Sequence, residues 1–286
     1  MRSDSDGVPD LRSAAIIGLG LMGGSLARDL AARGVRVLGW DADAASLCAA
    51  AAAGIVHQPL DDLRGAGEAE IVVLAVPVLA AREVLAALAP HLGSARLVTD
   101  VGSTKASIVT AAEALGIGAR FVGAHPLAGD HRGGWEAARA GLFVGARVFL
   151  SRAPSTEPSA MRLASRLWSG VGGVPEPIDP VDHDARLAWA SHLPQVVSTA
   201  LALTLQQAGT ARAELGPGGR DVTRLGGSDP TLWADVLMDN ADALSSALAA
   251  LSTQLGALTR AVAERDRAAL LRRFGDARAW YGEEAG

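Results

Sequence analysis

The chain has 286 residues, 49% of them apolar, a single cysteine and a formal net charge of −5. That length suits one large domain or two ordinary ones with a sizeable core. One cysteine excludes an internal disulfide and a multi-cysteine metal site, and an acidic balance with no dense Lys/Arg tract argues against nucleic acid and anionic membranes as partners.

The opening MRSDSDGVPD is polar and lacks the apolar core of a signal peptide, so residues 1–12 read as a loose tail. No apolar stretch is long enough to span a bilayer. The expectation is a soluble cytoplasmic protein acting on a small molecule. Short β-branched runs at 14–18, 35–40, 71–75, 96–100 and 121–124 read as buried strands, separated by Ala- and Leu-rich segments long enough for crossover helices. Repeated strand-helix-strand units imply a parallel, doubly wound sheet. Cys48, in one of these helices, is expected to be a packed thiol. A last strand is expected at 146–151, and then SRAPSTEPSA has the composition of a linker. Beyond it the pattern is helical almost throughout, with one long helix over 181–209. Leu237, Ala241, Leu244, Leu248, Leu251, Leu255, Leu258 and Val262 alternate spacings of four and three, an apolar heptad seam. Packing within the chain and a subunit interface both account for it.

The stretch AAIIGLGLMGGSLARDL sets Gly18, Gly20 and Gly23 as GxGxxG, directly after a predicted strand and at the opening of a helix. Gly18 permits the tight turn, Gly20 lets a pyrophosphate approach the backbone, and Gly23 lets helix and strand pack closely. Leu19, Leu21 and Met22 complete the loop, and the helix N-terminus offers free N–H groups to phosphate. Asp41 closes the second strand 18 residues after Gly23. A carboxylate there accepts both ribose hydroxyls of NAD and repels the 2′-phosphate of NADP, and the following Ala42 and Asp43 supply no arginine to offset that. The competing role for Asp41 is a helix N-cap. The expected cofactor is NAD, in a Rossmann-type sheet.

Ligands of such sheets sit beyond the carboxyl ends of the strands. Three segments fall there. LAVPV brings Ala75, Val76 and Pro77 beside the nicotinamide half. VTDVGSTKASIV brings Ser103 and Lys105 to the mouth of a helix. FVGAHPLAG puts His125 at a strand tip, with Pro126 restricting its backbone to extended conformations. His125 is either a satisfied structural histidine or a general base for an alcohol being oxidised. Ser103 could bond its ring or the substrate hydroxyl.

Taken together, GLGLMGGS, DVGSTKASIV and HPLAG, with SHLPQ and DVTRLGGSDPTLWADVLMDN downstream, resemble the prephenate dehydrogenase family, whose members also include arogenate and cyclohexadienyl dehydrogenases. The likeness runs from Ala14 to the C-terminal helices. It implies a Rossmann domain (residues 13–152) followed by an all-α helical dimerisation domain (153–286), and a homodimer built through the latter. It implies oxidative decarboxylation of prephenate to 4-hydroxyphenylpyruvate, carbon dioxide and NADH, on the route to tyrosine. His125 matches the histidine that takes the C4 hydroxyl proton, and Ser103 matches the serine that supports it. His192 matches a substrate-side histidine, and Arg224 the arginine that binds a substrate carboxylate. Arg220 would share a face with Arg224 if that segment is helical.

His183 and His192 are nine residues apart, half a turn out of phase on a regular helix. Only one is expected to enter the site. Pro194 should disturb the helix near His192, which favours His192 and leaves His183 as a helix-start residue. Gln195 stands where the family usually has a second histidine, and His131 where a glutamate is common, so prephenate, arogenate and an amino analogue stay open as substrates. Asp130 or Arg132, on the glycine-bounded turn after His125, would tune that preference. Nothing after the helices resembles an added ACT domain, and no chorismate mutase segment is visible. The 3-hydroxyacid dehydrogenases share GLGxMG but need a lysine on the first long helix, and residues 181–209 contain none. A non-enzymatic NAD sensor would have no need of His125, Ser103 and Arg224 together.

Overall fold

The computed structural model describes residues 11–129 and 132–282. The apolar runs form strands β1 (Ser13–Ile17), β2 (Arg36–Trp40), β4 (Ile71–Leu74), β5 (Leu97–Asp100), β6 (Phe121–Pro126) and β7 (Arg147–Arg152), joined by two short strands, β3 (Gln58–Pro59) and β8 (Val174–Pro177). Their order across one sheet is β3-β2-β1-β4-β5-β6-β7-β8. Neighbours run parallel except β6 and β7. The chain leaves β1 toward β3 and returns to β4 on the other side, so the crevice between the carboxyl ends of β1 and β4 is the switch point where such sheets take ligands.

Alternation along the strands feeds two cores. Ala14 and Ile16 face one layer with Ile71, Val73, Val122 and Leu150, covered by α1 (Leu21–Ala31) and α5 (Pro158–Gly170). Ala15 and Ile17 face the other with Val72, Leu74 and Val98, covered by α3 (Val78–Leu88) and α4 (Ala106–Ala114). The remaining helix of this unit, α2 (Ala44–Ala52), buries only Ala50. Cys48, expected to be packed, is therefore exposed.

The break expected after residue 152 lies inside this unit. Ala153 N donates to Thr156 Oγ1 at 2.7 Å, and the same hydroxyl reaches the Phe121 carbonyl at 2.9 Å. Pro158 then opens α5 at the position where helices accept proline. Helix α5 buries Leu163, Leu167 and Trp168, and β8 adds an edge strand beyond it. The Pro/Ser composition marks a helix entry rather than a linker.

The second unit is helical: α6 (Pro180–Leu187), α7 (Leu193–Gln207), α8 (Pro217–Val222), α9 (Pro230–Asp239), α10 (Ala241–Ala263) and α11 (Arg267–Gly282). The single long helix expected over 181–209 is interrupted by a π turn at Ala188–His192, just before Pro194. On the heptad seam Leu244 is buried, but Leu255 and Val262 are 54% and 63% exposed, so this chain covers only part of it. Among the described residues no helix is long and apolar enough to cross a membrane.

Candidate active site

The glycine loop closes the β1–β4 crevice. Gly18 has φ +97°, and a Cβ there would lie 2.4 Å from the Ala75 carbonyl oxygen. A Cβ on Gly23 would lie 1.9 Å from the Gly18 oxygen. Protein packing thus demands glycine at both. Gly20 is different: a Cβ would meet nothing within 4 Å. The space above Gly20, at the N-terminus of α1, is what a pyrophosphate needs. Leu19 is buried, and Leu21 and Met22 are half-buried around it. Asp41 accepts a hydrogen bond from Leu19 N and one from Asp43 N at 2.8 Å, and so stands over the loop at the end of β2. The N-cap of α2 is Asp43, which removes the competing role for Asp41. Ala75 and Val76 are half-buried and Pro77 exposed at the end of β4.

A second ring of contacts ties the segment beyond His125 to the same helix. Ser25 Oγ accepts from Arg139 N at 3.0 Å, Asp29 Oδ1 accepts from Gly141 N at 2.9 Å, and the Arg28 guanidinium stacks 4.2 Å above Trp135. Gly24 leaves the room: a Cβ would come within 3.0 Å of both Ala138 and Trp135. The doubled glycine of LMGGS was the available signal for this docking.

His125 lies on β6 opposite Phe149 of β7, 9% exposed. Its Nδ1 is 2.9 Å from His183 Nε2, and His183 Nδ1 is 2.7 Å from Asp184 Oδ1. His183 was expected outside the site, and this is a correction. It is fully buried, edge-on to both His125 and Phe149. A π turn takes more residues per revolution than an α turn, so the half-turn offset between His183 and His192 does not survive, and both face inward. His192 is buried as well, with Nδ1 3.1 Å from Asn240 Nδ2 and its ring edge-on to Trp233.

Lys105 is the only lysine in the chain, and it is fully buried against Asp100. Asp100 also accepts from Gly102 N at 2.9 Å and Ala124 N at 3.0 Å, so the pair anchors the residue before His125. Gly123 gives passage to the lysine stem, since a Cβ would lie 3.1 Å from Lys105 Cδ. Burial pushes the His125 imidazole well below the usual histidine range, and the neighbouring His183, Lys105 and His192 push it further. Burial lowers His192 to about 4, against the opposing pull of Asp184. Both rings are therefore neutral at pH 7.

The other expected residues divide. Ser103 is half-buried on the β5–α4 loop and makes no hydrogen bond to His125 among the described residues. Gln195 is spent on structure: its Nε2 donates to the Leu225 carbonyl at 2.7 Å and its Oε1 accepts weakly from Ser228. Together with Ser198 Oγ, which accepts from Gly226 N at 3.0 Å, it pins the turn that carries Arg224 onto α7. Arg220 is spent likewise, on the carbonyls of Leu215 and Ala213. Although α8 is helical as supposed, its guanidinium turns away from a shared clamp with Arg224. Arg224 is exposed and lines, with Leu205 and Arg212, a cleft of about 710 Å³ that includes none of His125, His183 and His192. Asp130 and His131 lie outside the described residues; Arg132 is exposed.

A switch-point crevice with an open glycine, an acid over the loop and a neutral buried histidine at the carboxyl end of β6, on the same side of the sheet, defines a dinucleotide-binding dehydrogenase fold joined to a helical unit. Comparison with known proteins narrows this. The family model for the prephenate dehydrogenase nucleotide-binding domain matches residues 26–176, and that for the prephenate dehydrogenase dimerization domain matches residues 179–276. The chain belongs to the prephenate dehydrogenase family. It is 34% identical over 268 residues to the cyclohexadienyl dehydrogenase of Zymomonas mobilis, covering 91% of this chain and 92% of that one. It is 33% identical over 237 residues to the prephenate dehydrogenase of Bacillus subtilis, covering 79% of this chain but spanning only 64% of that protein's length. The crystal structure of Aquifex aeolicus prephenate dehydrogenase with hydroxyphenyl propionate and NAD+ superposes with a TM-score of 0.86 at 30% identity, covering 99% of each chain.

Proposed function

We propose that the chain catalyses the NAD-dependent oxidative decarboxylation of prephenate, with His125 as the base, and that it works as a homodimer through its helical unit. One observation carries the reading: a neutral, buried imidazole fixed at the carboxyl end of β6, on the same side of the sheet as the glycine loop. Bound at that loop, NAD supplies the hydride acceptor. His125 Nε2 accepts the C4 hydroxyl proton while the C4 hydride departs. The bond from the ring to its carboxylate then breaks, carbon dioxide leaves, and the electron pair enters the ring as it becomes aromatic. The phenolate oxygen takes its proton back, so no net proton is consumed. Aromatisation drives the step, which leaves the protein to position the substrate, move one proton and hold the carboxylates. Ser103, on the loop that opens α4, orients the hydroxyl. His192 is the substrate-side histidine. Arg224, exposed on its pinned turn, offers a bidentate pair to a carboxylate.

The test is NADH formation by the purified protein with prephenate and, separately, arogenate. Turnover of prephenate with release of one carbon dioxide per NADH is expected, and NAD should exceed NADP at least tenfold in kcat/KM, a difference of about 1.4 kcal/mol. No turnover of any cyclohexadienyl acid would refute the reading, and faster turnover of arogenate would move it to the second substrate. The likeness to a cyclohexadienyl dehydrogenase makes arogenate the specific alternative.

A further inference from the structure

Two imidazoles whose nitrogens lie 2.9 Å apart share one proton between them, and its side decides what His125 can do. The chain of contacts behind His125 settles that side. Asp184 accepts backbone hydrogen bonds from Lys105 N and Ala106 N, both at 2.8 Å, and so caps the first turn of α4 from another domain. The oxygen that accepts from Lys105 N is also 2.7 Å from His183 Nδ1. A carboxylate oxygen already facing a backbone donor and a helix N-terminus is an acceptor. With one proton on His183, that proton sits on Nδ1 facing Asp184, and Nε2 holds only a lone pair. His125 must donate from Nδ1 to that lone pair. Its own lone pair is then on Nε2, and nothing among the described residues bonds that atom.

We propose that His183 and Asp184 are positioning residues that hold His125 as the Nδ1–H tautomer and so make Nε2 the basic atom. Both act through His125. The device spans the two structural units, because His125 and the α4 cap belong to the sheet while His183 and Asp184 belong to α6. A base with the proton on the wrong nitrogen would present a donor to the substrate hydroxyl and could not accept its proton. The inference rests on His125 being the base, but the tautomer can be read without turnover.

The experiment is 15N-resolved NMR of the histidine rings in the full-length protein at neutral pH, with His125→Asn to assign the His125 signals, alongside kcat. Wild type should show His125 protonated on Nδ1. His183→Leu keeps the volume and removes the acceptor, so His125 should move to the Nε2–H form, with kcat lowered roughly a hundredfold or more and NAD binding retained. His183→Gln can place an amide oxygen where Nε2 stood, and should restore both the tautomer and most of kcat. A wild-type His125 protonated on Nε2 would overturn the proposal. So would His183→Leu with normal kcat, or a loss of kcat in both variants with the tautomer unchanged, which would make His183 a packing residue. Normal turnover by His125→Asn would instead sink the choice of base while leaving the tautomer assignment standing.

Discussion

At the scale of single residues, burial keeps charge off His125 and His192. His125→Asn retains a donor and an acceptor at similar size but has no basic nitrogen, so kcat should fall by roughly 10²- to 10⁴-fold with NAD affinity intact. Wild-type turnover would return His125 to a structural role. The pH dependence has a definite sign. Burial above all lowers both His125 and His192, the latter to about 4 against the opposing pull of Asp184, below the ordinary value of 6.5. The unfolded chain then binds protons that the native protein does not. Stability is complete above pH 6.5 and is lost as pH falls from there toward 4, with a limiting slope of ~1.4 kcal/mol per pH unit for each group. Denaturant midpoints should be level between pH 7 and pH 8 and decline steadily below 6.5. The acid limb of kcat/KM should lie below 6.5 for the same reason, and a limb at or above that value would mean that His125 is solvated in the working enzyme. His125 was legible in the sequence because proline and glycine frame it. His183 was not, because its phase relative to His192 depends on a π turn that periodicity does not reveal.

At the scale of elements, the glycine loop separates what folding needs from what the ligand needs. Gly23→Ala drives a Cβ into the Gly18 carbonyl, backbone against backbone, and should destabilise by roughly 1–3 kcal/mol. Gly20→Ala meets no protein atom, so thermal unfolding should stay near wild type while NAD affinity falls. If both variants lost only stability, the space over Gly20 would not be the pyrophosphate site. Most strands were readable as apolar runs, since a parallel sheet buried on both faces wants little else. Strand β8 was not, because Val174–Pro177 is half proline, which a sheet accepts only where donors are not required, and β8 is the sheet's edge. The same failure misplaced the domain boundary. Gln195 and Arg220 carried the right chemistry for a carboxylate site, but sequence does not show that backbone carbonyls, of Leu225 for Gln195 and of Leu215 and Ala213 for Arg220, take their hydrogen bonds first.

At the scale of the whole molecule, the helical unit carries more apolar surface than one chain can cover. Leu255, Val262, Leu271 and Phe274 are each more than half exposed along α10 and α11. Helix α11 buries no residue in the single chain. Isolated apolar residues on a surface are ordinary, whereas a run of them on one helical hairpin marks a candidate interface. The family match gives residues 179–276 as a dimerization domain, and the heptad seam runs through it. Leu255→Glu with Val262→Glu tests that partner cleanly. Both side chains already face outward in the lone chain, so the substitutions leave the packing of Leu244, Ala247 and Ala261 untouched. A charge at each site is costly only where a second copy would bury it. Light scattering should give a dimer for wild type and a monomer for the double variant, with the far-UV signature of the helices preserved. A double variant that stays dimeric would put the interface elsewhere, and a monomeric wild type would leave the exposed seam without a partner.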